Sequence, residues 1–149
     1  MLDSLKKIAI GSDHAGYKFK ECLKEYLQSQ QYIITDFGAY SEESIDYPDP
    51  IHLLANAVNN KEFDKGIILC GSGNGVAMVA NKYRMVRAAV CWNEEITRLS
   101  RQHNDANIIA LPARFISKEQ ALSFLKTFLN TDFEGGRHLR RVEKISRII

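Results

Sequence analysis

The chain has 149 residues with nearly balanced charge, 20 Lys and Arg against 18 Asp and Glu. This length suits one domain, which we expect to span residues 1–149, and the balance gives no sign of a nucleic-acid or membrane surface. No apolar run is long enough to cross a bilayer. Three cysteines without metal-ligand spacing are typical of free thiols in a reducing compartment, so we expect a soluble, cytoplasmic protein.

Five short apolar runs recur along the chain, and each predicts a buried strand. They are residues 7–11, 32–37, 66–70, 88–92 and 107–111. Segments with helical spacing separate them. Alternating strands and helices, with nearly continuous apolar strands, predict an α/β fold whose parallel sheet is covered on both faces by helices.

The clearest helical pattern follows the first strand. Phe19 and Leu23 share one face there, while Lys20 and Lys24 are predicted to point outward. Two more helices are predicted after the last strand, at residues 118–129 and 136–148.

Two glycine-rich loops follow predicted strands, where open α/β folds bind ligands beyond the carboxyl ends of the sheet. Residues 11–16 read GSDHAG, and residues 70–75 read CGSGNG. Backbone N–H groups of the second loop, at the start of a helix, would form an anion site. A tight turn that binds nothing is the alternative.

Cys70 is the last residue of the third predicted strand, directly before this loop. A helix N-terminus would stabilise its thiolate, which suits a base or nucleophile near neutral pH. The alternative is a cysteine that only packs in the core, which is our interpretation of Cys22 and Cys91.

Three further polar residues allow two interpretations each. His103 ends a predicted helix, where it is either functional or merely complements the helix dipole. Asp13 and His14 follow the first strand and either contact a ligand or cap the first helix, with Asp13 the natural N-cap.

The last helix has two stripes on a 3.6-residue wheel. The basic stripe consists of Arg137, Arg140, Arg141 and Lys144. The adjoining apolar stripe consists of His138, Val142, Ile145 and Ile149. The apolar stripe can dock the helix, and two arginines one turn apart can hold a phosphate group. A solvated basic face is the alternative.

Together these segments resemble the ribose-5-phosphate isomerases of type B, in the wider family that includes the galactose-6-phosphate isomerase subunits. The resemblance runs almost end to end. It rests on residues 11–16, 46–48, 70–75, 80–82, 100–107 and 134–138, which read GSDHAG, DYP, CGSGNG, ANK, SRQHNDAN and EGGRH.

The resemblance implies a Rossmann-like three-layer sandwich with a five-stranded parallel sheet and an extra C-terminal helix. It also implies an aldose-ketose isomerase that interconverts ribose 5-phosphate and ribulose 5-phosphate through an enediolate, without a metal or organic cofactor. The enzyme would be a homodimer or a dimer of dimers with active sites shared between subunits.

The resemblance also assigns roles to individual residues. Cys70 matches the base that moves a proton between C2 and C1, and His103 matches the acid that assists opening of the furanose ring. The loop amides match the site of the enediolate oxygens, while the arginines and His14 are expected near the phosphate. The matching substrate-binding residues are Asp13, His14, Gly71, Ser72, Gly73, Asn74, Gly75, Asn104, Arg114, Arg137 and Arg141.

Two positions depart from the pattern of the family. Some relatives have a glutamate base where this chain has Val76, so we expect it to belong to the cysteine branch. Ser72 stands where threonine is common, and a hydroxyl is kept. An isomerase for allose or galactose 6-phosphate remains an alternative, as does a non-catalytic sugar-phosphate-binding module.

Overall fold

The computed structural model of the protein describes residues 6–147. The strands in this range are β1 (Lys7–Ser12), β2 (Ile33–Asp36), β3 (Lys65–Cys70), β4 (Ala88–Val90) and β5 (Ile108–Pro112). The helices are α1 (Tyr17–Ser29), α2 (Pro48–Asn59), α3 (Asn74–Ala80), α4 (Glu94–Gln102), α5 (Lys118–Asn130) and α6 (Arg137–Ile145). Each predicted strand is present, although β4 ends two residues earlier than predicted.

The strands form one parallel sheet in the order β2-β1-β3-β5-β4. Because all strands run in the same direction, their carboxyl ends lie along one border of the sheet, which we call the carboxyl edge. Their amino ends lie along the opposite border, the amino edge. Helices cover both faces. The predicted three-layer α/β architecture is confirmed.

Alternate residues of β3 show how the two cores are separated. Ile67 and Leu69 belong to the apolar cluster beneath α1 and α5. Ile68 and Cys70 belong to the cluster beneath α2 and α3. Successive side chains of a strand point to opposite faces. Cys70 therefore faces the α2–α3 layer at the carboxyl edge of the sheet.

Local side-chain caps set where two of the helices begin. The side chain of Asn93 accepts a hydrogen bond from the Ile96 N–H at 2.8 Å, which starts α4. Ser117 and Gln120 form a reciprocal capping box that starts α5. Such caps satisfy N–H groups that have no partner inside the helix.

The prediction that all five strands are buried is wrong for β2 and β4. Residues of β2 alternate between exposed and half-buried, and all three residues of β4 are half-buried. Ile33 is 39% exposed. β2 and β4 are the two outermost strands of the sheet, and each has a neighbouring strand on one side only.

The outward orientation predicted for Lys20 is also wrong. Its side chain is fully buried, and its Nζ donates to Asp36 Oδ2 at 2.6 Å. The ammonium group also lies 5.4 Å and 5.5 Å from the ring centroids of Tyr17 and Tyr40. A carboxylate and two aromatic rings compensate the buried charge.

The last helix docks less completely than its apolar stripe predicts. No residue of α6 is buried, although His138 and Val142 are half-buried. Ile145 is 56% exposed, and Ile149 lies outside the described residues. Between residues 6 and 147, no helix has both the length and the apolar character that a membrane span requires.

Candidate active site

The loop after β3 holds Cys70 at the carboxyl edge of the sheet. Cys70 is 5% exposed, and its Sγ accepts a hydrogen bond from the Gly73 N–H at 3.2 Å. Gly73 has a φ of 75°, in the left-handed region, and is the N-cap of α3. This conformation favours glycine and turns a main-chain donor toward the sulfur. The sulfur therefore points into the glycine loop.

Close neighbours restrict this loop on both sides. A Cβ atom at Gly75 would lie 2.6 Å from Tyr47 Cζ, so only glycine fits there without movement of the tyrosine. A Cβ atom at Gly71 would lie 3.1 Å from Arg114 Cδ. The Arg114 N–H donates to the Gly71 carbonyl at 3.0 Å. Arg114 thus lies against the loop of its own chain.

Asp13 and His14 lie at the same edge, directly after β1. The Asp13 N–H donates to the Leu69 carbonyl at 3.2 Å, which joins this turn to β3. Asp13 Oδ1 accepts from the Gly16 N–H at 3.1 Å. Asp13 therefore closes the turn that precedes α1, whose N-cap is Gly16 rather than Asp13.

The His14 ring is oriented by a loop that lies farther along the chain. Its Nδ1 accepts a hydrogen bond from the Ile45 N–H at 3.2 Å. A neutral His14 consequently carries its proton on Nε2, since one ring nitrogen donates while the other accepts. The Nε2–H is then the group that His14 can donate to a ligand.

A second group of predicted site residues lies elsewhere in the fold. His103 is the C-cap of α4, and its ring stacks on His138 of α6 with centroids 4.1 Å apart and planes at 10°. The Glu134 N–H donates to the Gln102 carbonyl at 3.1 Å. Arg137 and Arg141 are exposed on the same helix as His138. Asn104 lines a cavity of about 390 Å³ beside Ile145 and Ser146 of the C-terminal segment.

The strand register separates this second group from Cys70. β3 pairs with β5 so that Gly66 lies beside Ile108 and Cys70 beside Pro112. His103 precedes Ile108, the first residue of β5, and the four residue steps from Ile108 to Pro112 span roughly 13 Å. Cys70 and His103 of one chain therefore lie at opposite edges of the sheet, too far apart to contact the same furanose ring.

His138 has an unusual electrostatic environment. Desolvation, followed by the charges of His103 and Arg137, lowers the pKa of His138 below its ordinary value. Its Nε2 lies 3.6 Å from Glu134 Oε2, which acts in the opposite direction. His138 therefore favours the neutral form beside His103.

Comparisons with known proteins place this arrangement in a family. A sequence model described as ribose/galactose isomerase matches residues 8–145. The chain belongs to the ribose/galactose isomerase family. A probable ribose-5-phosphate isomerase B from Mycoplasma genitalium is 42% identical, over 94% of this chain and 93% of that protein.

Solved structures of the family share this fold. The ribose 5-phosphate isomerase of Thermotoga maritima has a TM-score of 0.93 and 48% identity, covering 96% of this chain and 99% of that one. The Mycoplasma genitalium ribose-5-phosphate isomerase B with bound ribulose-5-phosphate has a TM-score of 0.90 and 41% identity, covering 95% and 94%. The Rossmann-like family fold implied by the sequence is confirmed.

The structure adds neighbours that the sequence analysis did not assign to the site. Tyr47 lies against Gly75, while Glu134 and His138 lie beside His103. Two family motifs, DYP at residues 46–48 and EGGRH at residues 134–138, contain these three residues. The motifs therefore carried a signal, but their placement required the tertiary fold.

Proposed function

We propose that this protein interconverts ribose 5-phosphate and ribulose 5-phosphate, with Cys70 as the base and no metal in the reaction. Membership of the family supports the reaction class, and the bound ribulose-5-phosphate of the Mycoplasma relative supports the substrate. One observation carries the mechanism. The Cys70 sulfur lies 3.2 Å from a main-chain nitrogen of a glycine loop at the ligand-binding edge of the sheet.

The loop provides what this proton transfer needs. The Cys70 thiolate takes the proton from C2 of the open-chain aldose, and the carbonyl oxygen at C1 gains the negative charge. Main-chain N–H groups of residues 71–75 stabilise this enediolate, because fixed donors are effective where charge develops. The hydroxyl proton on O2 moves to O1, and return of the proton from the Cys70 thiol to C1 then gives the ketose. The side chain at the alternative base position, Val76, is fully buried and cannot take a proton.

The other half of the site comes from a second copy of the chain in this proposal. Cys70 and His103 lie at opposite edges of one subunit, so one chain cannot bring both to one sugar. A homodimer, or a dimer of dimers, can place His103, Asn104 and the α6 arginines of one subunit over the Cys70 loop of the other. The incomplete docking of α6 is consistent with further burial against a partner.

Ring opening then depends on His103 of one subunit, whereas phosphate binding uses residues of both subunits. His103 donates a proton to the ring oxygen as the furanose opens. Arg137 and Arg141, one helical turn apart, bind the phosphate together with His14 and Arg114. Binding of the remote phosphate fixes C1 and C2 close to Cys70, which converts binding energy into alignment.

A Cys70→Ala variant tests this proposal, with Cys22→Ala as a matched control at a half-buried thiol on α1. Loss of the base should lower turnover of ribose 5-phosphate by at least about a hundredfold. Exchange of the C2 hydrogen with solvent should fall equally. Inorganic phosphate should bind both variants alike. Wild-type turnover in Cys70→Ala would overturn the assignment of the base.

The family description also includes galactose, so a hexose 6-phosphate is the second candidate substrate. Turnover of ribose 5-phosphate, allose 6-phosphate and galactose 6-phosphate should be compared on chelator-treated protein. We expect the pentose phosphate to have the highest kcat/KM, with full activity after chelation. Preference for a hexose 6-phosphate would replace the proposed substrate. Loss of activity on chelation would overturn the metal-free mechanism.

A further inference from the structure

Three metal-ligating side chains meet at the amino edge of the sheet. His103, Glu134 and His138 each place one ligand atom within 4.8 Å of the other two. The proposed ring opening uses only the imidazole of His103. It assigns no task to the imidazole of His138 or to the carboxylate of Glu134, although both lie beside His103.

Main-chain hydrogen bonds hold these three residues together. The His103 N–H donates to the Leu99 carbonyl at 2.9 Å, at the end of α4. The Glu134 N–H donates to the residue before His103, and the His138 N–H donates to the Gly135 carbonyl at 3.0 Å. The cluster therefore has a fixed backbone frame, with His138 in the first turn of α6.

We propose that His103, Glu134 and His138 bind a divalent metal ion of the zinc type, and that the ion inhibits the enzyme. Two imidazoles and one carboxylate form the donor set of open three-ligand zinc sites, which leave a fourth position for water. Magnesium and calcium prefer sites made only of oxygen donors. The chemistry of the cluster thus selects a nitrogen-binding metal.

The ligand atoms need a small contraction to reach coordinating geometry. Tetrahedral zinc with bonds of about 2.0–2.1 Å places its ligands about 3.3 Å apart. The Glu134 side chain is 50% exposed and can move, and the two rings must turn out of their parallel stack. Arg137 and Arg141 oppose a nearby cation, so we expect weaker binding than at a closed structural zinc site.

Inhibition follows from the identity of one ligand. A metal ion bound to the imidazole of His103 competes with the proton that this ring would give to the furanose oxygen. This consequence depends on the proposed function, whereas metal binding itself does not. The two parts can therefore fail separately.

Binding is tested by titrating chelator-treated, full-length protein with Zn²⁺ against a chromophoric zinc indicator. We expect a single equivalent per chain in the wild type and affinity reduced by about tenfold or more in Glu134→Gln and in His138→Asn. Two control variants should bind Zn²⁺ like the wild type. Glu143→Gln removes an exposed carboxylate of α6, and Cys70→Ala removes a thiol that could also bind zinc. Absence of binding in the wild type, or equal binding in all variants, would overturn the site.

Inhibition is tested by the ratio of turnover with and without Zn²⁺ in each variant. The wild type and Glu143→Gln should be inhibited at the concentration that fills the site, whereas Glu134→Gln should need about tenfold more Zn²⁺. Glu134 is an exposed side chain, so its substitution is expected to leave the fold intact. Zinc binding at the cluster without inhibition would overturn the inhibitory role. Failure of isomerisation itself would leave the binding result standing and would count against the proposed function alone.

Discussion

At the scale of single residues, substitutions of Arg137 and Arg140 distinguish specific phosphate binding from a general effect of positive charge. Both are exposed on α6, three positions apart, and only Arg137 belongs to the family pattern. Arg141 Nη1 donates to the Arg137 carbonyl at 3.3 Å, so one turn of the helix links the two arginines assigned to phosphate. Arg140 is a matched control for loss of a guanidinium.

Arg137→Ala should raise KM for ribose 5-phosphate and lower kcat through lost alignment. Loss of a charge-assisted hydrogen bond corresponds to about tenfold to a hundredfold in kcat/KM. Arg140→Ala should change kcat/KM by less than about twofold. Steady-state kinetics at two salt concentrations measure both. Equal effects of the two substitutions would contradict specific phosphate binding by Arg137.

The ion-pair network of Lys20 links several elements to the site. Lys20 of α1 and Lys24 of the same helix both bind Asp36 at the end of β2, at 2.6 Å and 2.8 Å. Asp36 Oδ1 accepts the Gly38 N–H at 2.9 Å, and the Gly38 carbonyl accepts the Ser12 N–H at 2.6 Å. The network therefore stabilises the turn at Gly38, whose carbonyl group binds Ser12, the residue before Asp13.

Burial raises the pKa of Asp36, but hydrogen bonds from Lys20, Lys24 and the Gly38 N–H outweigh it and hold this pKa below its ordinary value of 3.8. A carboxyl group with a lowered pKa in the folded state stabilises the fold above its unfolded pKa. That contribution disappears as the pH falls through the folded pKa.

Asp36→Asn should therefore destabilise the protein at neutral pH. It removes the nearest counter-charge of the buried Lys20 ammonium and, among the described residues, leaves only Glu21 Oε1, at 3.4 Å, so the expected cost is at most about 3–5 kcal/mol. The difference in unfolding free energy from wild type should shrink as the pH falls below about 4, because Asp36 then gains a proton first in the unfolded chain and, at lower pH, also in the folded protein. Urea denaturation of both proteins at neutral pH and at about pH 3 measures this difference in unfolding free energy. A constant difference would contradict the ionic role, and Lys20→Met/Asp36→Asn should recover much of the loss.

At the scale of the whole molecule, the positions of Cys70 and His103 separate two ways of building the active site. If each site takes Cys70 from one subunit and His103 from the other, a mixed dimer of two inactive variants keeps one intact site. If both residues acted within one subunit, every site in such a dimer would lack one of them.

Mixing Cys70→Ala with His103→Ala under subunit exchange should restore about a quarter of wild-type activity, since half of the dimers are mixed and each has one intact site of two. Mixing Cys70→Ala with Asp13→Ala should restore nothing, because both residues lie at the same edge of their subunit. Activity is measured on ribose 5-phosphate after unfolding and joint refolding. No recovery in the first mixture would contradict the shared site.

Local patterns were sufficient for most of the architecture. The alternation of apolar strands with helical segments predicted the parallel sheet, and the strand before CGSGNG placed Cys70 at its carboxyl end. Both inferences depend on residues close together in the chain, whose spacing directly reflects strand and helix geometry. The two edge strands were less predictable, because an apolar run does not reveal whether a neighbouring strand lies on each side.

The amino-acid sequence by itself determined the fold class, the glycine loop and the residue types available for isomerisation. Only the tertiary structure decided that Lys20 is buried against Asp36, and that His103 lies at the opposite edge from Cys70. The physical reason is that both outcomes depend on strand order and direction. α4 returns from the carboxyl edge to the amino edge before β5 begins, so residues of one family pattern end on opposite sides of the subunit.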